Sequence, residues 1–503
     1  MANPSLQIGN NNWAIKEDNL LGYSTAGTRF VPQPITMTRA TLGTRVNPSG
    51  LVEDVALLGS ELVTNGDFAT DSDWDKTGTW SIESNYATSN ANGITQYLGQ
   101  DVGIVNGRTY KITYTVLSNS LNNDRLLMSG TSSFTSIQIP SSIGQNTVYL
   151  TASQTPSSGY DVRFANSATN TSGIITLDNI SVKEATIDNL PRVDYTDGTS
   201  SLLVEPQRTN LITYSSDFSQ WTEVGSPTLT PDYGLSPDGT ENSTRIELST
   251  NARIYTSLSA SGDIAFSVYL KGSGVITLRD NTNAYRQDVT LTSEWARYDL
   301  YFNATITNVQ IQNQTASVVD CELWGAQTEV GSYPTSYIKT SGSTVTRNQE
   351  TYEKTGISDK INSEEGVLFA EIAALANDGT FKGISLSDGS TSNVVRFYTN
   401  PTANQFSIRV TVGGVHQFNV VYTLSDLTAY NKVALKYKAN DFAFWVNGVE
   451  VKADLSGTTF ASNTLNKLAL SNGSGSDYFF GKVKQLQVFK TALSDSELAT
   501  LTT

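Results

Sequence analysis

Apolar and polar positions alternate along much of this chain with a period of two. In residues 109–117 (TYKITYTVL), Tyr110, Ile112, Tyr114 and Val116 share one face, the pattern of a half-buried strand. Residues 79–82 place Trp80 and Ile82 together in the same way. Residues 146–150, 160–164 and 174–183 continue the series between Ser, Asn and Gly turns. Strand-length runs at roughly ten-residue spacing predict a β-sandwich. A second block predicts strands at 264–271, 275–279, 295–302 and 318–324. A third predicts strands at 367–374, 383–386, 394–398, 405–412, 417–422, 431–437, 442–446, 465–470 and 481–489. Within it, Asn447-Gly448 predicts a tight hairpin turn. Ser494 and Glu497 have the spacing of a capping box, which predicts one short helix at the end of the chain.

The first two blocks read as a divergent repeat. Each opens with Asp-Phe followed by Trp (Asp67, Phe68 and Trp74; Asp217, Phe218 and Trp221) and closes on a strand running into Glu (Asp178 to Glu184; Asp320 to Glu329). A repeat of this length implies a duplicated domain rather than a solenoid. The first fifty residues differ. They predict one short helix or turn around residues 14–21 and then extended chain with Pro32, Pro34 and Pro48. Proline withdraws ladder donors, so this segment is expected to be an arm that packs against something else. Residues 340–361 are polar and read as a linker.

Composition narrows the function classes. The chain has 503 residues, with 33 Lys+Arg against 48 Asp+Glu and a net charge of −15. Its length implies several domains. No Lys/Arg cluster offers a phosphate-binding surface, so no nucleic-acid partner is expected. The 23 Tyr, 18 Phe and 7 Trp exclude a disordered chain. One cysteine, Cys321, and one histidine, His416, exclude a disulfide framework and a His-based zinc centre. The opening MANPSLQIGNNNW lacks the basic and apolar regions of a leader, and no run approaches the roughly 20 apolar residues of a membrane span. Neither secretion by a leader nor membrane insertion is expected.

Three stretches carry family resemblances. Residues 61–68 (ELVTNGDF), 93–97 (GITQY) and 106–112 (NGRTYKI) resemble carbohydrate-binding-module jelly rolls related to galactose-binding domains. Residues 201–221 (SLLVEPQRTNLITYSSDFSQW) and 324–345 (WGAQTEVGSYPTSYIKTSGSTV) resemble a block of bacteriophage virion proteins, the head and tail fibres and capsid-associated proteins. Residues 442–451 (FAFWVNGVEV) and 481–498 are similar to concanavalin A-like, laminin-G-like lectin domains. In the phage block, an arm like residues 38–55 runs directly into a segment like 190–197, so the first jelly roll is expected to be an insertion. The resemblances imply an all-β fold with two jelly-roll sandwiches, a C-terminal concanavalin A-like β-sandwich and an extended N-terminal arm. The expected division is an arm at 1–57, an inserted jelly roll at 58–186, a return segment at 187–209, a second jelly roll at 210–340, a linker at 341–365 and the lectin-like domain at 366–503.

The implied function is non-enzymatic. A glucanase of the concanavalin A-like fold needs facing carboxylates about 5–9.5 Å apart, but Glu371 stands alone and Glu364-Glu365 precede the first strand. The expected role is a virion structural protein, a head or tail fibre or decoration. It would be made in the host cytoplasm and displayed on the particle surface. The arm would hold virion partners and a homotrimer, and glycans would be weak ligands. Alternatives are a receptor-binding tail fibre whose third domain is the adhesin, and an accessory region of a polysaccharide-degrading system. Sugar contacts would use aromatic faces, with Trp80, Tyr86, Tyr97, Tyr398, Trp445 and Tyr478 as candidates, although core packing competes for each. No cofactor is expected. Asp71, Asp73 and Asp75 have the opening rhythm of a calcium loop but lack its later Gly and Glu, so a structural calcium is not indicated there.

Overall fold

A computed structural model describes residues 2–10, 14–16, 19–26, 29–121, 123–128, 135–141, 143–153 and 161–503; side chains are described outside 11–34. The fold is nearly all β, with sheets built from the predicted alternating runs and one C-terminal helix, Asp495–Thr502. The chain divides into two compact units. One holds 1–55, 188–208 and 346–503, and the other holds 56–187 and 209–345. Among the described residues no helix is long and apolar enough to cross a membrane.

The first unit is a sandwich around one core. Glu365–Ala374 lies between Asn431–Lys438 and Gly481–Phe489, and Asn431–Lys438 continues to Phe442–Val446 and Val449–Asp454. Opposite them run Thr351–Lys354, Lys467–Ala469, Gly383–Ser387, Val394–Thr399, Gln405–Val412 and Val415–Thr423. Leu368, Leu435, Phe444 and Leu486 meet Ile384, Phe397, Ile408 and Phe418 in the core. The hairpin after Phe442–Val446 turns at Asn447 and Gly448, with φ of 46° and 83°. Both are left-handed, as a two-residue turn between twisted strands requires. The helix packs Leu498 against Phe369 and Trp445 on the far side of the first sheet. Glu497 accepts a hydrogen bond from Ser494 N at 3.0 Å.

The N-terminal segment is not an arm waiting for an external partner. Leu6–Gly9 pairs with Gly481–Phe489, with Leu6 opposite Val488, and Arg29–Thr38 pairs with Thr351–Lys354. Leu6, Ile8, Ile35 and Met37 lie in the core of this sandwich. Of the helix or turn expected around 14–21, the helix is not formed: Ala14–Lys16 pairs antiparallel with Asn19–Ala26. The latter also pairs with Leu6–Gly9 and Arg29–Thr38, and these non-local ladders outweigh local helix preference. Trp13 lies outside the described residues. The return segment supplies Ser201–Val204, which pairs with Gly481–Phe489.

The expected linker is also part of this domain. Tyr352, Ile357 and Ile361 are in its core. Its charged residues are buried because they are paired: Glu350 meets Arg39 and Arg192, and Glu205 meets Arg192 and Arg347. Buried charges persist only when paired and hydrogen-bonded. Here Arg192 Nη1 also donates to Thr44 O at 2.9 Å, and Glu205 N donates to Glu350 at 3.0 Å.

The second unit contains two sandwiches with separate cores. The first pairs Thr109–Asn119 with Gly144–Thr151 and Ile174–Thr186 in one sheet. A second sheet pairs Val162–Asn166 with Gln96–Gln100 and Arg125–Met128. Tyr110, Ile112, Tyr114 and Val116 all point into its core, as the alternation predicts. In the second sandwich, Arg253–Gly272 lies between Ala296–Gln312 and Val319–Val330, with register shifts that bend these long strands around Phe266, Leu300 and Leu323.

The repeat read from the sequence has a structural counterpart. Phe68 packs on Trp74 with ring centroids 5.4 Å apart, and Phe218 packs on Trp221 at 5.1 Å. Trp74 Nε1 donates to Asn65 O at 2.9 Å, and Trp221 Nε1 donates to Tyr214 O at 3.1 Å. The opening segment meets the closing strand alike in both, through Leu62 N to Val182 O and Leu211 N to Thr328 O.

Candidate functional site

The C-terminal sandwich places an unusual set of side chains on the outer face of one sheet. Inward positions on Gly383–Ser387, Val394–Thr399 and Gln405–Val412 are Ile384, Leu386, Val395, Phe397, Ile408 and Val410. Their neighbours, Ser385, Arg396, Tyr398, Ser407 and Arg409, therefore point outward. Register aligns Ser385 with Arg396, Arg396 with Arg409, and Arg409 with Asn419, one straight row across four strands. Tyr398 lies beside that row. The Arg396 guanidinium carbon stands 4.7 Å from its ring centroid and that of Arg409 stands 5.5 Å away. Phe381 packs against Tyr398 at 6.0 Å and leaves 45% of its own surface exposed.

The electrostatics of the row are one-sided. Burial lowers the Arg396 pKa, and the adjacent Arg409 charge lowers it further, while Tyr398 and Asp477 oppose the shift. Desolvation and both arginines hold the His416 imidazole below its ordinary value. Its Nδ1 lies 3.1 Å from Thr411 Oγ1. Arg409 Nε donates to Asn419 Oδ1 at 3.3 Å. Arg396 Nε and Ser385 Oγ are buried without a hydrogen-bond partner.

The candidate aromatics separate by location. Tyr398 and Tyr478 flank the same strand, because Gly383 pairs with Tyr398 in the ladder and bridges to Tyr478. Tyr398 is only 8% exposed, so it serves as a platform for the guanidinia and offers little open face to a sugar. Tyr478 is half-buried and packs near Phe480 at 6.4 Å. Trp80 and Trp445, 5% and 8% exposed, are core residues of their sandwiches. The hydrophobic neighbours that share their faces bury them, which removes both as ring platforms. Tyr86 and Tyr97 are half-buried in the first jelly roll, with the Arg163 guanidinium carbon 5.5 Å from the Tyr97 ring. Phe381, Arg396 and Arg409 were missed. Their signal was an arginine at an outward position of each of two consecutive strands.

Other polar groups have local structural uses. Asp71 forms an ion pair with Lys76, and Asp73 accepts a hydrogen bond from Ser72 Oγ. Among the described residues, no three His, Cys, Asp or Glu side chains converge on a metal position. Glu371 accepts from Gln485 Nε2 at 2.9 Å, and Glu365 pairs with Lys438 at 3.0 Å. Burial pushes the Cys321 thiol up to about 12, so it is no nucleophile at neutral pH. In the second unit, an open polar cleft is lined by Asn146, Asp217, Asp232 and Lys339 among others. Burial, with the Asp217 charge, pushes Asp232 up to about 6.

Residues 370–499 match the model of the concanavalin A-like lectin/glucanases superfamily. None of the curated proteins matches the sequence. Among solved structures, the chain is similar to the CBM40 module of the Ruminococcus gnavus IT-sialidase bound to α2,3-sialyllactose. The identity is 19%, the match covers 28% of this chain and 83% of that one, and the TM-score is 0.25. It is also similar to the CBM22 tandem of Paenibacillus barcinonensis Xyn10C, at 9% identity, 54% and 97% coverage and a TM-score of 0.20. Trypanosoma rangeli sialidase in complex with DANA matches at 8% identity over 96% and 88%, with a TM-score of 0.22. The C-terminal sandwich is thus concanavalin A-like over residues 370–499.

Proposed function

We propose that this protein is a non-enzymatic glycan-binding protein displayed on a bacteriophage particle as a head or tail fibre or decoration. The observation that carries the glycan-binding part is the outer sheet face of the lectin-like domain. There an exposed aromatic ring, Phe381, packs against Tyr398, over whose ring the Arg396 and Arg409 guanidinia stand. Sugars take such a combination, an apolar ring face beside fixed hydrogen-bonding groups. The virion part rests on the resemblance of residues 201–221 and 324–345 to phage structural proteins. An accessory role in a polysaccharide-degrading system is served by the same sandwiches.

Homotrimeric assembly stays within this proposal on the virion resemblance alone. The argument from an unpartnered apolar arm no longer supports it, since Leu6, Ile8, Ile35 and Met37 are buried in the chain's own core. Gold-labelled antibody against the protein, imaged on purified particles, tests the placement. Label on heads or tails supports it, and label confined to the unassembled fraction overturns it. A glycan array probed with full-length protein tests the binding, and absence of any retained saccharide overturns it.

A further inference from the structure

Arg396 and Arg409 stand directly opposite each other on neighbouring strands. Like charges in that position destabilise a sheet, and the chain as a whole is acidic, at −15. Arg279 and Arg286 form a second cross-strand arginine pair, and there Arg279 donates to Gln312 and Arg286 to Gln314. Other arginines are settled by acids. Arg45 pairs with Glu53, Arg108 with Glu184, and Arg245 with Glu247 and Asp320. Arg396 and Arg409 instead have the Tyr398 ring between them as a shared contact, with Asn419 as a neutral acceptor for one. Asp477 is the acidic group that acts on Arg396, and Asn472 Nδ2 already holds its carboxylate at 3.0 Å. His416 lies on the same side, close enough for both arginines to disfavour its protonation. The Arg396 Nε and Ser385 Oγ atoms are left unpaired at adjacent positions of the same row. Two guanidinia held over one ring, with little acid to neutralise them, are an arrangement whose repulsion an anion would relieve.

We propose that this outer face binds an acidic saccharide, with its carboxylate or sulfate accepted by the Arg396–Arg409 pair and its sugar ring lying toward Phe381. The proposal rests on the glycan-binding reading and narrows it to a ligand class. Planar guanidinia suit carboxylate and sulfate because their donors form a fixed fork. Tyr398 acts as a positioning residue. Its ring face holds both cations by cation–π attraction and keeps them in register with the strands. Phe381, the exposed ring beside it, supplies the apolar contact.

The test uses full-length protein and matched probes on a biosensor. Oligogalacturonate is compared with its methyl ester, and sulfated κ-carrageenan oligosaccharide with its desulfated form. Oligouridylate serves as a polyanion without a hexose. The expected result is at least tenfold tighter binding of one acidic probe than of its neutral partner, with affinity falling as salt rises. Which acidic arm responds identifies carboxylate or sulfate. Arg396→Gln and Arg409→Gln should each cost about tenfold in affinity for the acidic probe and leave the melting temperature unchanged or raised, because a like-charge contact is removed. Phe381→Ala should weaken acidic and neutral probes alike. Should a variant misfold, the salt dependence of the unaltered protein decides. Binding of neutral and acidic partners with equal affinity overturns the proposal and leaves the glycan reading standing. Equal binding of oligouridylate overturns it in favour of a general anion patch. No saccharide bound overturns both.

Discussion

Glu350 and Arg192, 158 residues apart in sequence, share two hydrogen bonds of 2.8 and 2.5 Å with both side chains fully buried. Arg39 binds the same carboxylate, so one acid joins the N-terminal, middle and C-terminal parts of a single domain. Removing one partner of such a pair strands the other charges, at a cost of about 3–5 kcal/mol. Glu350→Gln should lower the stability of the C-terminal sandwich by that amount in urea unfolding; a loss below about 1 kcal/mol contradicts the assignment. Burial pushes the Glu350 carboxyl up, but Arg192 and Arg39 outweigh it and hold the group below its ordinary value. Its contribution is therefore complete above the unfolded carboxyl range and is lost as pH falls through the folded value.

Separate cores imply separate transitions. Phe218 is fully buried in the second jelly roll, and its truncation to Ala should cost about 3–5 kcal/mol there. Calorimetry of the full chain should show at least two transitions, with only one of them lowered by Phe218→Ala. A uniform shift of every transition would show that the cores unfold as one.

The first jelly roll begins and ends on paired strands, with Leu57 opposite Thr186 and Leu58 opposite Ala185. Deleting residues 58–186 should therefore leave a short joint and a remainder that keeps the transition of the C-terminal domain. Aggregation of this deletion, together with failure of the isolated roll to fold, rules out independent insertion.

Asp124 is buried in the first jelly roll. One carboxyl oxygen takes a hydrogen bond from Asn119 Nδ2 at 2.7 Å, and the other has no partner. Burial pushes its pKa up to about 6. The folded state thus favours the protonated acid, and stability falls as pH rises from the unfolded value through about 6. Asp124→Asn should stabilise the roll by roughly 1–3 kcal/mol at pH 8 and by little at pH 4. Equal effects at both pH values would show that charge is not the cause.

Purified protein should release no reducing sugar from β-glucan, agarose or alginate, and should not lyse peptidoglycan. Glu371 and Glu365 are each bound to a neighbouring side chain. Turnover abolished by one acidic substitution would reverse this expectation.

Strands were legible in the sequence wherever one face is wet, because burial then alternates, as along 109–117. The Asn447-Gly448 turn and the Ser494–Glu497 cap were legible because their chemistry is local. Partnership at long range was not. Residues 1–57 looked coreless because the strand that completes them lies at the other end of the chain, with Leu6 on Val488. Residues 341–365 looked like a linker because Arg347 and Glu350 read as solvent-facing charges until Glu205, Arg39 and Arg192 are brought to them. The candidate site was partly visible through Tyr398. The Arg396–Arg409 contact depends on strand register, which neither residue announces.

The pairing of Leu6 with Val488 also sets an order of events on the ribosome. At roughly 5–20 residues per second, the first strand emerges about half a minute to a minute and a half before its partner exists. The first jelly roll is closed by its own first and last strands, and both rolls have cores of their own residues, so they are able to fold during that interval. The core of the C-terminal sandwich is then the last to form, although Leu6 and Ile8 within it are made before either roll. Pro32 and Pro34 lie in the waiting N-terminal strands. Prolines withhold the backbone donors through which an unfinished edge would join another nascent chain.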